Sequence, residues 1–220
     1  MRFQWIGLLI AGGLCANAVP IVVNGSFENP TTTNIGSFLR LNATSSAITG
    51  WTVSTNSLDW IGSLWQASDG SRSLDMAGAT LGATILQDVT GFAAGQGYEL
   101  QFDMAGNTFS PNLKQLQVSI LDGASVVSTS NFTFDNTGKT LANMGWAFRS
   151  LAFTSPVGGT LRLQFTGLNN DGSGAAVDNV RLVEVAGAPT PEPASFLLIG
   201  SGLAALLLAR RKQCPPQPPG

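Results

Sequence analysis

Residues 98–104 read Tyr-Glu-Leu-Gln-Phe-Asp-Met, an unbroken alternation of apolar and polar side chains. Period two places Tyr98, Leu100, Phe102 and Met104 on one face and Glu99, Gln101 and Asp103 on the other, which predicts a β-strand with one dry and one wet side. The pattern recurs. Leu116, Val118 and Ile120 alternate with Gln115, Gln117 and Ser119, and Leu161, Leu163 and Phe165 alternate with Arg162 and Gln164. Further short runs between Gly, Asn, Ser and Asp punctuation predict strands at Ile21–Val23, Gly50–Val53, Ser73–Met76, Thr84–Val89, Phe148–Thr154 and Val177–Val185. Many short strands without a long amphipathic helix predict an all-β domain, a β-sandwich of jelly-roll form. Its inner face is expected to hold Phe27, Leu100, Phe102, Val118, Ile120, Leu163 and Phe165.

The two ends of the chain are of another character. Residues 1–18 carry a basic start (Arg2), an apolar stretch from Phe3 to Leu14 and a small-x-small close at Ala16-Asn17-Ala18. This order predicts a secretory signal peptide cut after Ala18. Lipid attachment at Cys15 is the alternative, and Leu14 fits it poorly because such signals want a small residue there. Residues 186–193 form an extended Pro/Ala linker that ends in Pro191-Glu192-Pro193. An apolar run follows from Ala194 to Ala209 and stops at Arg210, Arg211 and Lys212; residues 213–220 are a Pro-rich tail. Proline locks φ and lacks an N–H, so the triplet punctuates the chain before the helix. Sixteen helical residues span roughly 24 Å, a little short of a hydrocarbon core of about 30 Å. The basic cluster is expected to stay on the cytoplasmic side. The predicted transmembrane segment is therefore 194–212, with an ordinary tail anchor as the bland reading. Triplet, apolar run and basic stop together resemble the PEP-CTERM sorting signal of bacterial surface proteins. The resemblance implies an exosortase-type protease as partner, cleavage near the triplet, a transient inner-membrane anchor, and a final place at the cell surface or outside it.

What remains, residues 19–185, suits one domain with a sizeable core. Between residues 19 and 190 there are seven basic and twelve acidic residues, a net of −5. Such a surface argues against nucleic acid, which needs a basic face, and is compatible with neutral polymers such as polysaccharide. The two cysteines, Cys15 and Cys214, both lie outside this region, so no disulfide is available to it. The chain contains no histidine. That removes a Ser–His–Asp triad, a Cys–His pair and every His-based zinc site. Asp59, Asp69, Asp75, Asp88 and Asp103 leave paired-carboxylate hydrolysis open in principle, but no spacing singles out an acid and its partner. The domain is expected not to be an enzyme.

Three blocks stand out within it. One is Asn24-Gly-Ser-Phe-Glu28 followed by Gly50-Trp-Thr-Val53. Another is Asp59-Trp-Ile-Gly62 leading to Trp65-Gln-Ala-Ser-Asp-Gly-Ser-Arg-Ser-Leu-Asp75. The last is Asp178-Asn-Val180. Together they resemble the choice-of-anchor C family of exported bacterial proteins, which is related to a domain of unknown function abundant in plant cell walls. The resemblance implies a galactose-binding-like jelly roll, a fold shared by many carbohydrate-binding modules, and no established catalysis. Fold alone does not supply function. Trp60 and Trp65 adjoin polar, Gly-rich segments, where an exposed indole could stack on a sugar ring; core packing is the competing reading. Asp69 and Arg72 would complete the ligand site, against a turn role for Asp69-Gly70 and an Arg72–Asp75 ion pair. The resemblance further implies that Glu28 and Asp178 share one structural Ca²⁺, an ion that wants six to eight hard oxygens.

Two functions fit these observations. One is a non-catalytic module that holds polysaccharide at the cell surface or in an exopolysaccharide matrix. The other is a structural matrix protein with no dedicated ligand site. Exposure or burial of Trp60 and Trp65 discriminates between them.

Overall fold

A computed structural model describes residues 19–185 other than residue 112. The signal peptide (1–18), the linker with the sorting triplet (186–193), the apolar segment with its basic stop (194–212) and the tail (213–220) lie outside the described residues. Two antiparallel sheets form a sandwich. One has six strands in the order β1 (Phe38–Asn42), β3 (Ser57–Ile61), β4 (Ser73–Asp75), β11 (Ala175–Val185), β6 (Gly97–Gly106) and β9 (Ala147–Thr154). The other has five, in the order β2 (Thr52–Thr55), β5 (Thr84–Phe92), β10 (Gly159–Gly167), β7 (Leu113–Asp122) and β8 (Ser125–Asp135). From β5 to β11 the chain changes sheet at almost every step, so neighbours in a sheet come from distant parts of the sequence. There is no helix among the described residues. The all-β sandwich read from the alternating strands is the observed fold.

The dry faces meet as the period-two pattern requires. All seven residues expected on the inner face are buried, none more than 1 % exposed. Phe102 of β6 meets Phe132 of β8 and Phe165 of β10 edge-on, with ring centroids 5.1 and 5.4 Å apart. Trp51 continues the stack onto Phe165 at 6.0 Å. Edge-to-face geometry sets the positive ring edge against the negative face of its neighbour.

Two expectations change. Ile21–Val23 is not a strand. The carboxamide of Gln87, buried at an inward position of β5, takes both the N–H and the carbonyl of Val23 (2.8 and 2.9 Å), so this backbone is satisfied without a ladder. Three strands also went unread: β1, β3 and β8. All five residues of β3 are buried, which removes the alternation, and the polar Ser/Thr content of β8 blurs it.

Candidate functional site

The blocks singled out in the sequence converge on one loop, Ser68–Arg72, which leads into β4. A β-bulge interrupts the pairing of β11 with β6 between Asp178 and Arg181, and Asn179 there has φ 52°. Bulges re-aim side chains, and here Asp178 is buried beneath the loop. Its Oδ2 accepts the backbone N–H groups of Ser68 (2.8 Å) and Asp69 (2.9 Å), and its Oδ1 accepts that of Asn179 (2.7 Å). Burial pushes its carboxyl up to about 7, against the pull of these N–H groups, with the Asp69 charge adding to the rise. Glu28 holds the other end. Its Oε1 accepts the N–H groups of Ser71 and Arg72, both at 2.7 Å, and its Oε2 accepts the Ser71 hydroxyl at 2.9 Å. Gly70 makes the turn between them at φ +65°, and a Cβ there would lie 2.5 Å from Glu28 Oε1. Two further carboxylates join: Asp69 accepts the Ser26 hydroxyl (2.5 Å), and Asp103 accepts the Ser68 hydroxyl (2.6 Å) and the Asn179 amide (3.0 Å).

The N-terminal block is fastened to the same place. Val180 donates its N–H to the Gly25 carbonyl at 2.9 Å, and any side chain at Gly25 would collide with the Val180 carbonyl. Trp51 and Trp60 donate their indole N–H groups to the carbonyls of Asn24 (3.1 Å) and Phe27 (2.9 Å).

These bonds revise the sugar-stacking expectation. Trp60 is 0 % and Trp65 5 % exposed, so neither indole offers an open face. The Arg72 guanidinium lies 4.6 Å from the Trp60 ring, a cation–π contact, and Trp65 donates to the Ser73 hydroxyl at 2.8 Å. Arg72 does not pair with Asp75. Its guanidinium staples the loop at 30–33 by donating to the carbonyls of Pro30 (2.9 Å), Thr33 (3.0 Å) and Thr31 (3.4 Å). Beside it opens a cleft of about 390 Å³ lined by Thr31, Thr33, Asn34, Ser63, Ser71 and Arg72. Its polar groups are hydroxyls, one carboxamide and the engaged guanidinium, and Ile35, Gly36 and Gly62 complete the lining.

The donor set fits a hard cation in kind. Asp178 Oδ1 and Glu28 Oε2 each accept one bond, which leaves a lone pair on each carboxylate. No group of three acidic side chains converges as a metal site among the described residues, so remaining ligands would be backbone carbonyls.

A second polar cluster was missed. Asp75 is fully buried and accepts the Asn107 amide (2.6 Å) and the N–H groups of Gly174 (2.9 Å) and Ala77 (3.1 Å). Burial raises its carboxyl to about 7. Lys114, also buried, donates to the Ser173 carbonyl (2.5 Å) and hydroxyl (3.0 Å), and burial lowers its pKa. The signal was present: Lys114 falls in the inward phase of Leu116, Val118 and Ile120.

The family model described as Protein of unknown function (DUF642) matches residues 20–183, and the chain belongs to that family. The PEP-CTERM protein-sorting motif matches residues 189–212, which makes the chain an exported protein with a surface-sorting signal. Halomucin from Haloquadratum walsbyi (strain DSM 16790 / HBSQ001) is 33 % identical over 190 residues, 81 % of this chain. The chain spans 2 % of the length of that relative. Among solved structures, one described as "CBM4 structure and function" is similar at TM-score 0.44 and 14 % identity, covering 74 % of this chain and 99 % of that one. TmCBM61 in complex with β-1,4-galactotriose scores 0.43 at 11 % identity, covering 74 % and 96 %. The CBM22-1 xylan-binding domain of Paenibacillus barcinonensis Xyn10C scores 0.44 at 13 % identity, covering 71 % and 99 %.

Proposed function

We propose that the folded domain is a non-catalytic module that holds neutral polysaccharide at the cell surface or in the surrounding matrix. In this reading the segment 194–212 anchors the chain only until an exosortase-type protease acts near Pro191-Glu192-Pro193. The observation that supports it best is the cleft beside Arg72. Its hydroxyls and carboxamide can donate and accept toward sugar hydroxyls, and the N–H groups of its one cation are already engaged by three backbone carbonyls. Calcium at Glu28 and Asp178 would be structural, tying the first block of the domain to its last strand.

Burial of Trp60 and Trp65 favours the second reading, a structural matrix protein without a dedicated sugar site. A glycan array probed with the mature protein, with and without calcium, separates the two. Retention of neutral glycans supports the binding module. Uniform absence of binding in both buffers leaves the structural protein.

A further inference from the structure

We propose that the outer edge of β8 is a homodimer seam, along which a second copy of this chain adds its own β8 antiparallel. The direction of the backbone carries the inference. Leu168, just past the end of β10, donates its N–H to the Gln115 carbonyl at 3.0 Å, and the side-chain oxygen of Asn169 accepts the Gln115 N–H at 2.8 Å. Gln115 of β7 therefore turns both backbone groups toward β10. In an antiparallel sheet alternate residues serve alternate neighbours, so Lys114, Leu116 and Val118 turn theirs toward β8. The Val118 carbonyl accepts the Thr129 hydroxyl at 3.3 Å, as this phase requires. Across the ladder those three residues face Phe134, Phe132 and Ser130. Thr129, Asn131 and Thr133 are left with N–H and carbonyl directed away from the sheet, and all three side chains are exposed. Arg149 of β9 donates to one of these groups, the Thr133 carbonyl, at 3.1 Å.

An open edge of this kind templates pairing with another strand unless something blunts it. The other edges are shorter and guarded. At β2, four residues long, both backbone groups of Val53 are taken by the preceding loop, through the Thr44 N–H (2.7 Å) and the Ser45 carbonyl (2.9 Å). β1 is five residues long and carries Arg40 in a pair with Asp59, and β9 carries Arg149. β8 is eleven residues long, and Ser125–Phe134 contains no charged residue, proline or glycine.

The partner that fits is the same strand. With a net charge of −5 between residues 19 and 190, two copies repel over most of their surface, and β8 offers an uncharged stretch where they can meet. Two-fold pairing centred on Asn131 sets Thr129 opposite the partner's Thr133 and Asn131 opposite the partner's Asn131. Each opposed pair then exchanges both of its bonds, so every outward backbone group of the three residues is satisfied. The Thr133 carbonyl passes from Arg149 to the N–H of the partner's Thr129. Charge at the two ends of the strand is complementary as well. Asp135 has Lys139 and Arg149 near it, an excess of one cation, whereas Asp122 stands beside Ser125 at the other end. Antiparallel pairing lays each end of β8 on the opposite end of the partner.

Sedimentation of the full-length protein in density-matched mild detergent tests the seam. The wild type should sediment as a monomer–dimer equilibrium. Asn131→Lys, which sets two like charges directly opposite each other, should raise the dimer Kd at least about tenfold and melt at the wild-type temperature. Asn131→Pro should do the same, since the N–H it removes points away from β7 and the internal ladder keeps its bonds. With Cys15 and Cys214 changed to serine, Asn131→Cys should give a disulfide-linked dimer on mild oxidation, because directly opposed bonded residues have Cα atoms about 5.5 Å apart. Ser46→Cys, exposed beside the closed edge of β2, should stay monomeric. A wild type that is monomeric throughout overturns the inference. So does a dimer that survives Asn131→Lys, which would place the association elsewhere in the chain, or one that Asn131→Cys fails to capture.

Discussion

Asp75 illustrates what a single side chain is made to do by its surroundings. It lies buried at the end of β4, and three N–H donors do not offset the desolvation of its charge, so its carboxyl rises from 3.8 to about 7. A raised carboxyl binds more protons in the folded chain than in the unfolded one. Its contribution to stability is therefore fully present below about pH 4 and is lost as pH rises through about 7. Asp59, whose charge opposes ionisation of Asp75, and Lys114, which attracts the ionised form, both act on this group. A carboxyl carbon NMR titration should show Asp75 with a midpoint near pH 7. A midpoint in the ordinary aspartate range would mean that the site admits water. Lys114 was readable as inward from its phase in β7. That it ends on Ser173, 59 residues away, was not.

Among the elements, β6 carries the greatest packing load. It pairs with β11 and β9, and its inward Phe102 touches aromatic rings from β8 and β10 in the facing sheet. Phe102→Ala should cost about 3–5 kcal/mol, because the lost burial is joined by a cavity that the fixed rings of the facing sheet cannot collapse into. Denaturant melts measure this directly, and a loss well below 1 kcal/mol would contradict the described packing. The alternation of residues 98–104 made β6 legible because a strand between a core and a wet face must repeat every two residues. The same rule hid β3. Its outer side is covered as well, so Leu58, Trp60 and Asp59 are all buried and no period survives.

For the molecule as a whole, the question is what secures a disulfide-free sandwich at the junction of its first and last segments. Loop 68–72 already does part of this, with Glu28 and Asp178 each taking two of its backbone N–H groups. A bound calcium would add to that clamp. An ion that bound the native state alone would, at a free concentration 100 times its Kd, stabilise the fold by about 2.7 kcal/mol. Chelation should then lower the melting temperature, and added calcium should restore it. An unchanged melting temperature in both conditions would show that the loop amides alone hold the two carboxylates.

The sequence by itself determined the class of fold and the destination. Period-two alternation follows from strand geometry, and the sorting signal is contiguous along residues 189–212; both are properties of neighbouring residues, so both can be read without the fold. Only the tertiary structure decided the roles of the marked side chains. Whether Trp60 meets a sugar or a core depends on Phe27 and Arg72, 33 residues before it and 12 after, and whether Asp178 meets a loop depends on Ser68, 110 residues before it. Burial and hydrogen bonding are set by what lies nearby in space. In a sandwich whose chain alternates between its sheets, those neighbours come from remote positions that no local pattern encodes.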